Sequence, residues 1–347
     1  MTAQFRKRDS SFKKKIDTIC ENLEKGILSN PSCKQNVVFG PVPSRRLGHS
    51  LGINNIKPKT CTYDCIYCLV GPTTYRSTCR ETCLDPYELF CLVKRKIGLL
   101  AEQGIRIAYI SFVPSGEPTL DLGLSKEIKL LRQFGYPIAV FTNSSLLWND
   151  NVKEDLLFAD YVSVKVDTVN EATWNTINRP HGRLKFQMIL DGIDDFAESY
   201  RGVLTTETML VKNVNDTLDE VGPLGQYLSG LKKRNSYFAI PVRPPAERYA
   251  VAPNPHTLFE ISSFVRNTIA DSEMLCYPEG DDFEGAGSIE EELLGILSVH
   301  PMNEEAMESF IRRKGGTADT LRRMLGKSII REVNFEGRTF YRNAGQG

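Results

Sequence analysis

The stretch Lys59–Gly71, KTCTYDCIYCLVG, contains three cysteines at C-x3-C-x2-C spacing, with Tyr67 directly before the last one. A tetrahedral zinc site needs a fourth protein ligand, and the chain has no C-x2-C partner and no H-x3-5-H pair elsewhere to supply it. Three thiolates suit three irons of a cubane cluster, which leaves the fourth iron open to a small molecule. Cys61, Cys65 and Cys68 are therefore the expected ligands of a [4Fe-4S] cluster.

Composition limits the remaining possibilities. The chain has 347 residues, which suits one large α/β unit with a small appendage. Lys plus Arg equals Asp plus Glu at 43 each, so no overall charge indicates nucleic acid or a membrane as partner. No apolar run approaches the roughly 20 residues of a membrane helix. The nine cysteines are not spaced like a secreted disulfide framework, and a low-potential cluster would not survive oxidising conditions, so we expect a cytoplasmic protein.

Short β-branched runs alternate along the chain with amphipathic segments, and this alternation predicts a parallel sheet with right-handed crossovers. The predicted strands are His49–Asn54, Arg106–Val113, Pro137–Thr142, Tyr161–Val166, Val203–Val211 and Ser236–Pro241. The predicted helices are Pro86–Gln103, Leu122–Phe134, Glu171–Ile177, Leu184–Ser199 and Leu218–Leu231. The pattern alone leaves open a partial barrel, a closed eight-stranded barrel and an open doubly wound sheet.

Polar residues follow or interrupt these strands near their carboxyl ends, where parallel α/β folds place their functional groups. Ser163, Lys165 and Asp167 alternate with valines, so we expect the polar side chains to face the interior of the sheet. Burying unpaired charge is costly, and an inward polar face therefore indicates a ligand cavity. Lys165, Asp167 and the strand residue Glu207 are the candidate catalytic residues, and the opposite register would make the first two solvent-facing.

Several short segments between Val38 and about Ala252 resemble motifs of the radical S-adenosylmethionine (SAM) superfamily, in its wyosine-synthetase-like or MoaA-like Fe–S oxidoreductase branch. The matching segments are GPVPSRRLGHSLGINN, CIYCLVG, SGEPTL, FTNSSLL, the Asn-Arg-Pro segment and IPVRPPAE. The resemblance implies a partial (β/α)6 TIM-like barrel that binds a [4Fe-4S] cluster and SAM and forms a 5′-deoxyadenosyl radical. It also implies SAM-binding roles for Tyr67, Gly116, Glu117, Pro118 and Asn143. We add Ser163 because of its inward position and Arg179 because its guanidinium could clamp a carboxylate or phosphate. A flavodoxin or ferredoxin would be the reductant.

The cysteines outside the motif distinguish this chain from the wyosine enzyme, which holds a second cluster with N-terminal cysteines. Only Cys20 and Cys33 precede Cys61. The three that lie just after the motif, Cys79, Cys83 and Cys91, match no cluster spacing, so we expect buried or free thiols there and one cluster in all. The substrate stays open among a tRNA nucleoside, a protein side chain and a small metabolite.

Past Pro278 the pattern changes. The acidic, Gly-rich EGDDFEGAG predicts a linker, followed by helices at Ile289–Leu297, Asn303–Ile311 and Thr317–Leu325 and a hairpin turning at Glu336-Gly337. Three helices and a hairpin predict a winged helix, a fold that commonly binds DNA through its third helix and can also bind peptides, proteins or its own core. The expected organisation is an N-terminal basic extension (1–35), a radical SAM core (36–280), a linker (281–288) and the winged helix (289–347).

Two classes of function compete. One is a radical SAM enzyme whose winged helix captures a tRNA or protein substrate. The other is a non-catalytic Fe–S regulator that reads DNA, for which the basic stretch from Arg312 to Arg331 would supply phosphate contacts. The SGEP motif and the inward polar face favour the enzyme, because a sensor needs no SAM pocket.

Overall fold

An eight-stranded sheet forms the centre of the protein, in a computed structural model that describes residues 16, 18–21, 36–277 and 280–345. The strands are β1 (Val38–Ser44), β2 (Gly48–Ile53), β3 (Thr60–Cys61), β4 (Tyr75–Arg76), β5 (Tyr109–Phe112), β6 (Ile138–Thr142), β7 (Tyr161–Lys165), β8 (Val203–Met209), β9 (Asn235–Ala239) and β10 (Ser272–Leu275), of which β3 and β4 form a separate pair. The strand order in the large sheet is β1-β2-β5-β6-β7-β8-β9-β10. Within this sheet β1 is antiparallel to β2, and every other neighbouring pair is parallel. The prediction of an α/β fold with a mostly parallel sheet is confirmed.

Helices connect the parallel strands. They are α1 (Pro86–Glu102), α2 (Leu124–Leu131), α3 (Asp150–Leu156), α4 (Glu171–Ile177), α5 (Phe186–Ser199), α6 (Leu218–Gly230) and α7 (Pro255–Thr268). Polar side chains cap several of their N-termini. The side chain of Asn170, for example, accepts from the backbone N–H of Ala172 at the start of α4. The side chain of Asp85 accepts from the backbone N–H of Tyr87, and Pro86 between them is the first residue of α1.

The sheet curves so that its two edge strands come together. The guanidinium of Arg45, directly after β1, donates to the carbonyl of Leu275 in β10 at 2.9 Å. Along β7, Val162 and Val164 are fully buried in the main apolar core, whereas Ser163 and Lys165 face a cavity on the concave side. The alternation predicted from the sequence is therefore present.

The two edge strands of the large sheet, β1 and β10, and the helices α3 and α7 were not predicted. Strand β1 contains Pro41 and Pro43, which remove ladder donors and argue against a central strand, and an edge position tolerates both. Strand β10 reads SEML and has no β-branched residue. Both lie at the edge, where sequence patterning is weakest.

A disulfide joins Cys20 to Cys91, with their Cα atoms 5.5 Å apart. The expectation of a free thiol at Cys91 is therefore wrong, because a residue 71 positions earlier in the chain packs against this face of α1. Neither Cys79 nor Cys83 forms a disulfide with another described residue. The remainder of the predicted extension at 1–35, with Cys33, lies outside the described residues.

The C-terminal residues form three helices and a three-stranded antiparallel sheet with a separate apolar core. The elements are α8 (Ile289–Leu297), β11 (Met302–Asn303), α9 (Glu304–Arg313), α10 (Ala318–Gly326), β12 (Ile330–Phe335) and β13 (Arg338–Asn343). We call this part the C-terminal unit. Phe283 is only 2% exposed and belongs to the same core, and Lys314 donates to the carbonyl of Gly285, so residues 281–288 pack as a strap along the unit.

The C-terminal unit is docked onto the core. Asn36 donates to the carbonyl of Leu294 in α8 at 3.1 Å, and the backbone N–H of Glu284 donates to the carbonyl of Pro41 in β1. Lys96 of α1 and Glu292 of α8 form a buried ion pair. Among the described residues, no helix is both long and apolar enough to span a bilayer.

Candidate active site

A cavity of about 370 Å³ lies at the carboxyl ends of the central strands. It contains most of the residues singled out from the sequence, namely Cys61, Cys65, Tyr67, Cys68, Gly116, Glu117, Asn143, Ser163, Lys165 and Glu207. A larger cavity of about 680 Å³ lies between β1, α1 and α8, but none of the motif cysteines lines it. The chemistry-bearing residues therefore converge on the smaller one.

The cysteine loop is held in place by backbone hydrogen bonds. The N–H of Cys68 donates to the carbonyl of Cys65 at 3.1 Å, which makes a turn of the C-x2-C segment. The N–H groups of Asp64 and Ile66 donate to the carbonyls of Asn178 and Ile177 at the end of α4. All three cysteine positions are thus fixed relative to the sheet before any ligand binds.

The donor set fits a cluster better than a single ion. Among residues 36–277 and 280–345 no group of three or more His, Cys, Asp or Glu side chains is close enough to hold one metal ion. In a cubane each thiolate binds a different iron, so its sulfurs stand further apart than in a mononuclear site. Burial raises the pKa of Cys61 to about 12, and binding to iron would replace the proton that burial favours.

Two asparagines donate to the cysteine sulfurs. The side-chain amide of Asn143 is 3.4 Å from the sulfur of Cys61, and that of Asn178 is 3.4 Å from the sulfur of Cys65. Hydrogen bonds to cluster sulfurs are among the interactions that set a reduction potential. Asn178 was not predicted as a site residue, although it begins the Asn-Arg-Pro segment.

The SGEP segment packs directly against the cysteine loop. The N–H of Glu117 donates to the carbonyl of Thr60 at 3.2 Å, and the N–H of Lys59 donates to the carbonyl of Ser115 at 3.0 Å. A Cβ on Gly116 would lie 1.9 Å from the Thr60 oxygen. Glycine is therefore required here by the approach of the cysteine loop, and Pro118 then begins a 3-10 turn over Pro118–Leu120.

Glu117 is fully buried, and its carboxylate is used within the protein. One oxygen accepts from the Thr119 and Thr142 hydroxyls at 2.6 and 2.7 Å, and the other accepts from the backbone N–H of Asn143 at 2.7 Å. Burial raises the pKa of Glu117, while these donors favour its charged form. In this structure the side chain thus fixes the end of β6 and with it Asn143.

Lys165 and Glu207 meet because they are register partners on the neighbouring strands β7 and β8. The Lys165 ammonium is 2.8 Å from Glu207, whose other oxygen is 2.7 Å from the Arg46 guanidinium. Burial would raise the pKa of Glu207, but Lys165 and Arg46 outweigh it and lower that pKa to about 2. Burial would likewise lower the pKa of Lys165, but Glu207 and Asp167 raise it. The pair is charged at neutral pH.

Arg46 is the main cavity residue that the sequence did not predict. Its guanidinium stacks between the rings of Phe141 and Tyr237, at 4.8 and 5.1 Å from their centroids, and donates to the Ser163 hydroxyl at 3.2 Å. The only signal in the sequence was its place in the word SRRLG before the cysteine loop. Ser163, predicted to bind the cofactor, is thereby engaged with Arg46.

Asp167 lies behind the cavity. Its carboxylate accepts from the N–H of Met209 at 2.8 Å, from the Asn178 amide at 2.7 Å and from the Tyr67 hydroxyl. The carboxylate of Asp167 is 3.9 Å from the Lys165 ammonium, and Glu207 is the closer partner of Lys165 at 2.8 Å. Asp167 therefore orients Tyr67 and Asn178, both of which belong to or contact the cysteine loop.

Arg179 lies outside the cavity. Its backbone φ is +45°, and its guanidinium pairs with Glu247 at 2.6 Å and contacts the Tyr249 hydroxyl at 2.9 Å. The side chain of Arg179, which was predicted to bind SAM, therefore lies apart from the predicted SAM-binding residues that line the cavity. Arg243, which follows β9, does line the cavity and is 5% exposed.

Part of the chain is similar to the radical SAM superfamily. A family model described as the radical SAM superfamily matches residues 56–221. Among solved structures the chain is similar to a radical SAM methyltransferase from Sphaerobacter thermophilus, with a TM-score of 0.54, 16% identity and 69% of each chain covered. It is also similar to TYW1 with a lysine-pyruvate adduct bound, with a TM-score of 0.50, 14% identity, and 63% of this chain and 74% of that one covered.

A closer relationship identifies the family. A UPF0026 protein of Methanocaldococcus jannaschii is 39% identical over 307 residues, which cover 88% of this chain and 95% of that protein. The chain belongs to the UPF0026 family.

Proposed function

We propose that this protein is a radical SAM enzyme in which Cys61, Cys65 and Cys68 hold one [4Fe-4S] cluster. The observation that carries the proposal is the convergence of three thiols, the SGEP segment and a buried polar chain on one cavity. When bound, cluster and SAM would supply a 5′-deoxyadenosyl radical after one-electron reduction by a flavodoxin or ferredoxin. Everything else in the reaction depends on how the chain binds and orients its ligands.

The chain's contribution around the cluster is orientation. Asn143 and Asn178 direct amide donors at two of the sulfurs, and Glu117 holds Asn143 by its backbone N–H. Gly116 leaves the SGEP backbone against the cysteine loop, so its peptide groups border the same space as the cysteines. We propose that this wall binds SAM, with Glu117 acting through Thr142 and Asn143.

The opposite wall would hold the substrate. Arg46, Glu207 and Lys165 form a charged chain whose side chains are between 12% and 19% exposed. Because Lys165 is protonated and paired, we propose that it binds or protonates a substrate oxygen. The lysine adduct in the TYW1 structure requires a free amine, so covalent catalysis of that kind is not proposed for Lys165.

The DNA-reading alternative is less favoured because much of the basic stretch is engaged within the protein. Arg323 pairs with Glu290 at 2.8 Å, and Arg313 and Lys314 donate to the backbone of the strap. Val299 and His300 of the C-terminal unit line the cavity. We therefore propose that this unit, which the sequence predicts to be a winged helix, forms part of the substrate site and does not serve as a separate DNA reader.

The proposal is tested by anaerobic reconstitution. We expect about four irons and four sulfides per wild-type chain and loss of the cluster in Cys65→Ala. Cys79→Ala is the matched control, because Cys79 is an exposed free thiol outside the motif, and should retain full iron content. Zinc in place of iron, or equal loss of iron in both variants, would contradict the assignment.

A further inference from the structure

A buried arginine of the C-terminal unit contacts the cysteine loop. Arg342 of β13 is 5% exposed, and its guanidinium donates to the carbonyl of Leu69 at 2.7 Å. Leu69 directly follows Cys68, and the two contacting residues are 273 positions apart. The contact therefore exists only because the C-terminal unit is docked against the core.

A second cation, Lys59, binds the same segment. Lys59 is 7% exposed, and its ammonium donates to the carbonyls of Val70 and Pro72. Together Lys59 and Arg342 thus bond three carbonyls in the four residues after Cys68, and all three partners are uncharged.

The buried charge of Arg342 is not paired with a carboxylate among the described residues. Arg331 of β12 is the register partner of Arg342, so a third cation stands beside the first two. Among the described residues Arg342 has no ion-pair partner, and its Nε is buried without a hydrogen-bond acceptor. Burying unpaired charge is costly, which points to an anion that compensates it.

We propose that the compensating anion is the cluster, and that Arg342 is a positioning residue that holds the segment after Cys68 and raises the cluster's reduction potential. The inference rests on the proposed function. A cubane held by three thiolates becomes more negative when it takes up one electron, so a nearby cation stabilises the reduced form more than the oxidised form. The electron would come from a low-potential one-electron carrier, and no bond breaks in this step.

The C-terminal unit would then be part of the redox centre. Its docking would deliver the Arg342 charge to the cysteine loop, so that the core alone would hold a cluster that is harder to reduce. This role differs from the substrate capture predicted from the sequence. It also gives the unit a function that does not depend on the identity of the substrate.

The test is a potentiometric titration of the reconstituted full-length protein without SAM, followed by the EPR signal of the reduced cluster. Arg342→Gln removes the charge and keeps an amide donor, Arg342→Lys keeps the charge, and Arg338→Gln removes an exposed charge from the same strand as a matched control. We expect Arg342→Gln to weaken reduction about tenfold, which for one electron is about 59 mV to more negative potential. Arg342→Lys should restore most of that shift, and Arg338→Gln should leave the wild-type value.

An unchanged potential in Arg342→Gln, or an equal shift in Arg338→Gln, would overturn the inference while leaving the proposed function intact, because the titration requires only the cluster. A wild-type protein that holds no cluster would overturn both. If Arg342→Gln retains no cluster, Lys59→Gln decides, because Lys59 is the second cation bonded to the same segment: a shift to more negative potential supports charge compensation, and no shift refutes it.

Discussion

Removing the carboxylate of Glu207 should destabilise the protein, because it leaves two buried cations without their shared partner. Arg46 and Lys165 lie 2.7 and 2.8 Å from this carboxylate, with side chains only 12% and 15% exposed. Breaking such a pair from one side costs about 3 kcal/mol in the free energy of unfolding. We therefore expect Glu207→Gln to unfold at clearly lower urea concentration than the wild type, with an unchanged slope.

A double-mutant cycle separates this charge effect from a packing effect. Lys165→Met in the Glu207→Gln background removes one of the stranded cations and should recover about 1 kcal/mol or more. Lys153→Met is a suitable control, because Lys153 pairs only with exposed acids on the surface and should shift the midpoint little in either background. Additive losses at positions 165 and 207, or wild-type stability of Glu207→Gln, would refute the reasoning.

Two further predictions concern Gly116 and the buried carboxyl pair Asp121 and Glu127. Gly116→Ala places a Cβ 1.9 Å from the Thr60 carbonyl oxygen, so it should lower iron retention and reduce the free energy of unfolding by about 1–3 kcal/mol. Gly98→Ala on α1 is the control, because its Cβ would meet nothing within 4 Å and should be neutral or stabilising. Equal iron content in both variants would contradict the packing argument. Burial raises the pKa of Asp121 to about 7, and that of its neighbour Glu127 is also raised, so the folded state holds a proton that the unfolded state releases. The free energy of unfolding should consequently fall by about 1.4 kcal/mol per pH unit as pH rises from about 5 to 7, and Glu127→Gln should flatten this slope in urea titrations.

Local patterns in the sequence were sufficient for the central part of the site. The three cysteines stand within one short loop, and the period-two alternation around Ser163 and Lys165 identifies the cavity face because the intervening valines fill the core. The SGEP segment is similarly local. Its placement next to the cysteine loop follows from the strand order, since β5 is the neighbour of β2.

The remaining features depend on contacts between distant parts of the chain. Arg46 meets Ser163 across 117 positions, and Arg342 meets Leu69 across 273, so neither contact has a signature in its own segment. Arg179 illustrates the opposite case, because its segment matched the family, yet its backbone at φ +45° carries the side chain toward Glu247. Residue type and spacing thus identified the segments that meet at the cavity, and the docking of distant elements decided which other residues contact those segments.

The most direct test of the central claim is the formation of 5′-deoxyadenosine. Reconstituted wild-type protein, incubated anaerobically with SAM and dithionite, should produce 5′-deoxyadenosine and methionine in equal amounts, detected by mass spectrometry. Cys65→Ala should produce neither, and Cys79→Ala should match the wild type. An intact, reducible cluster in the wild type with no cleavage of SAM would contradict the account.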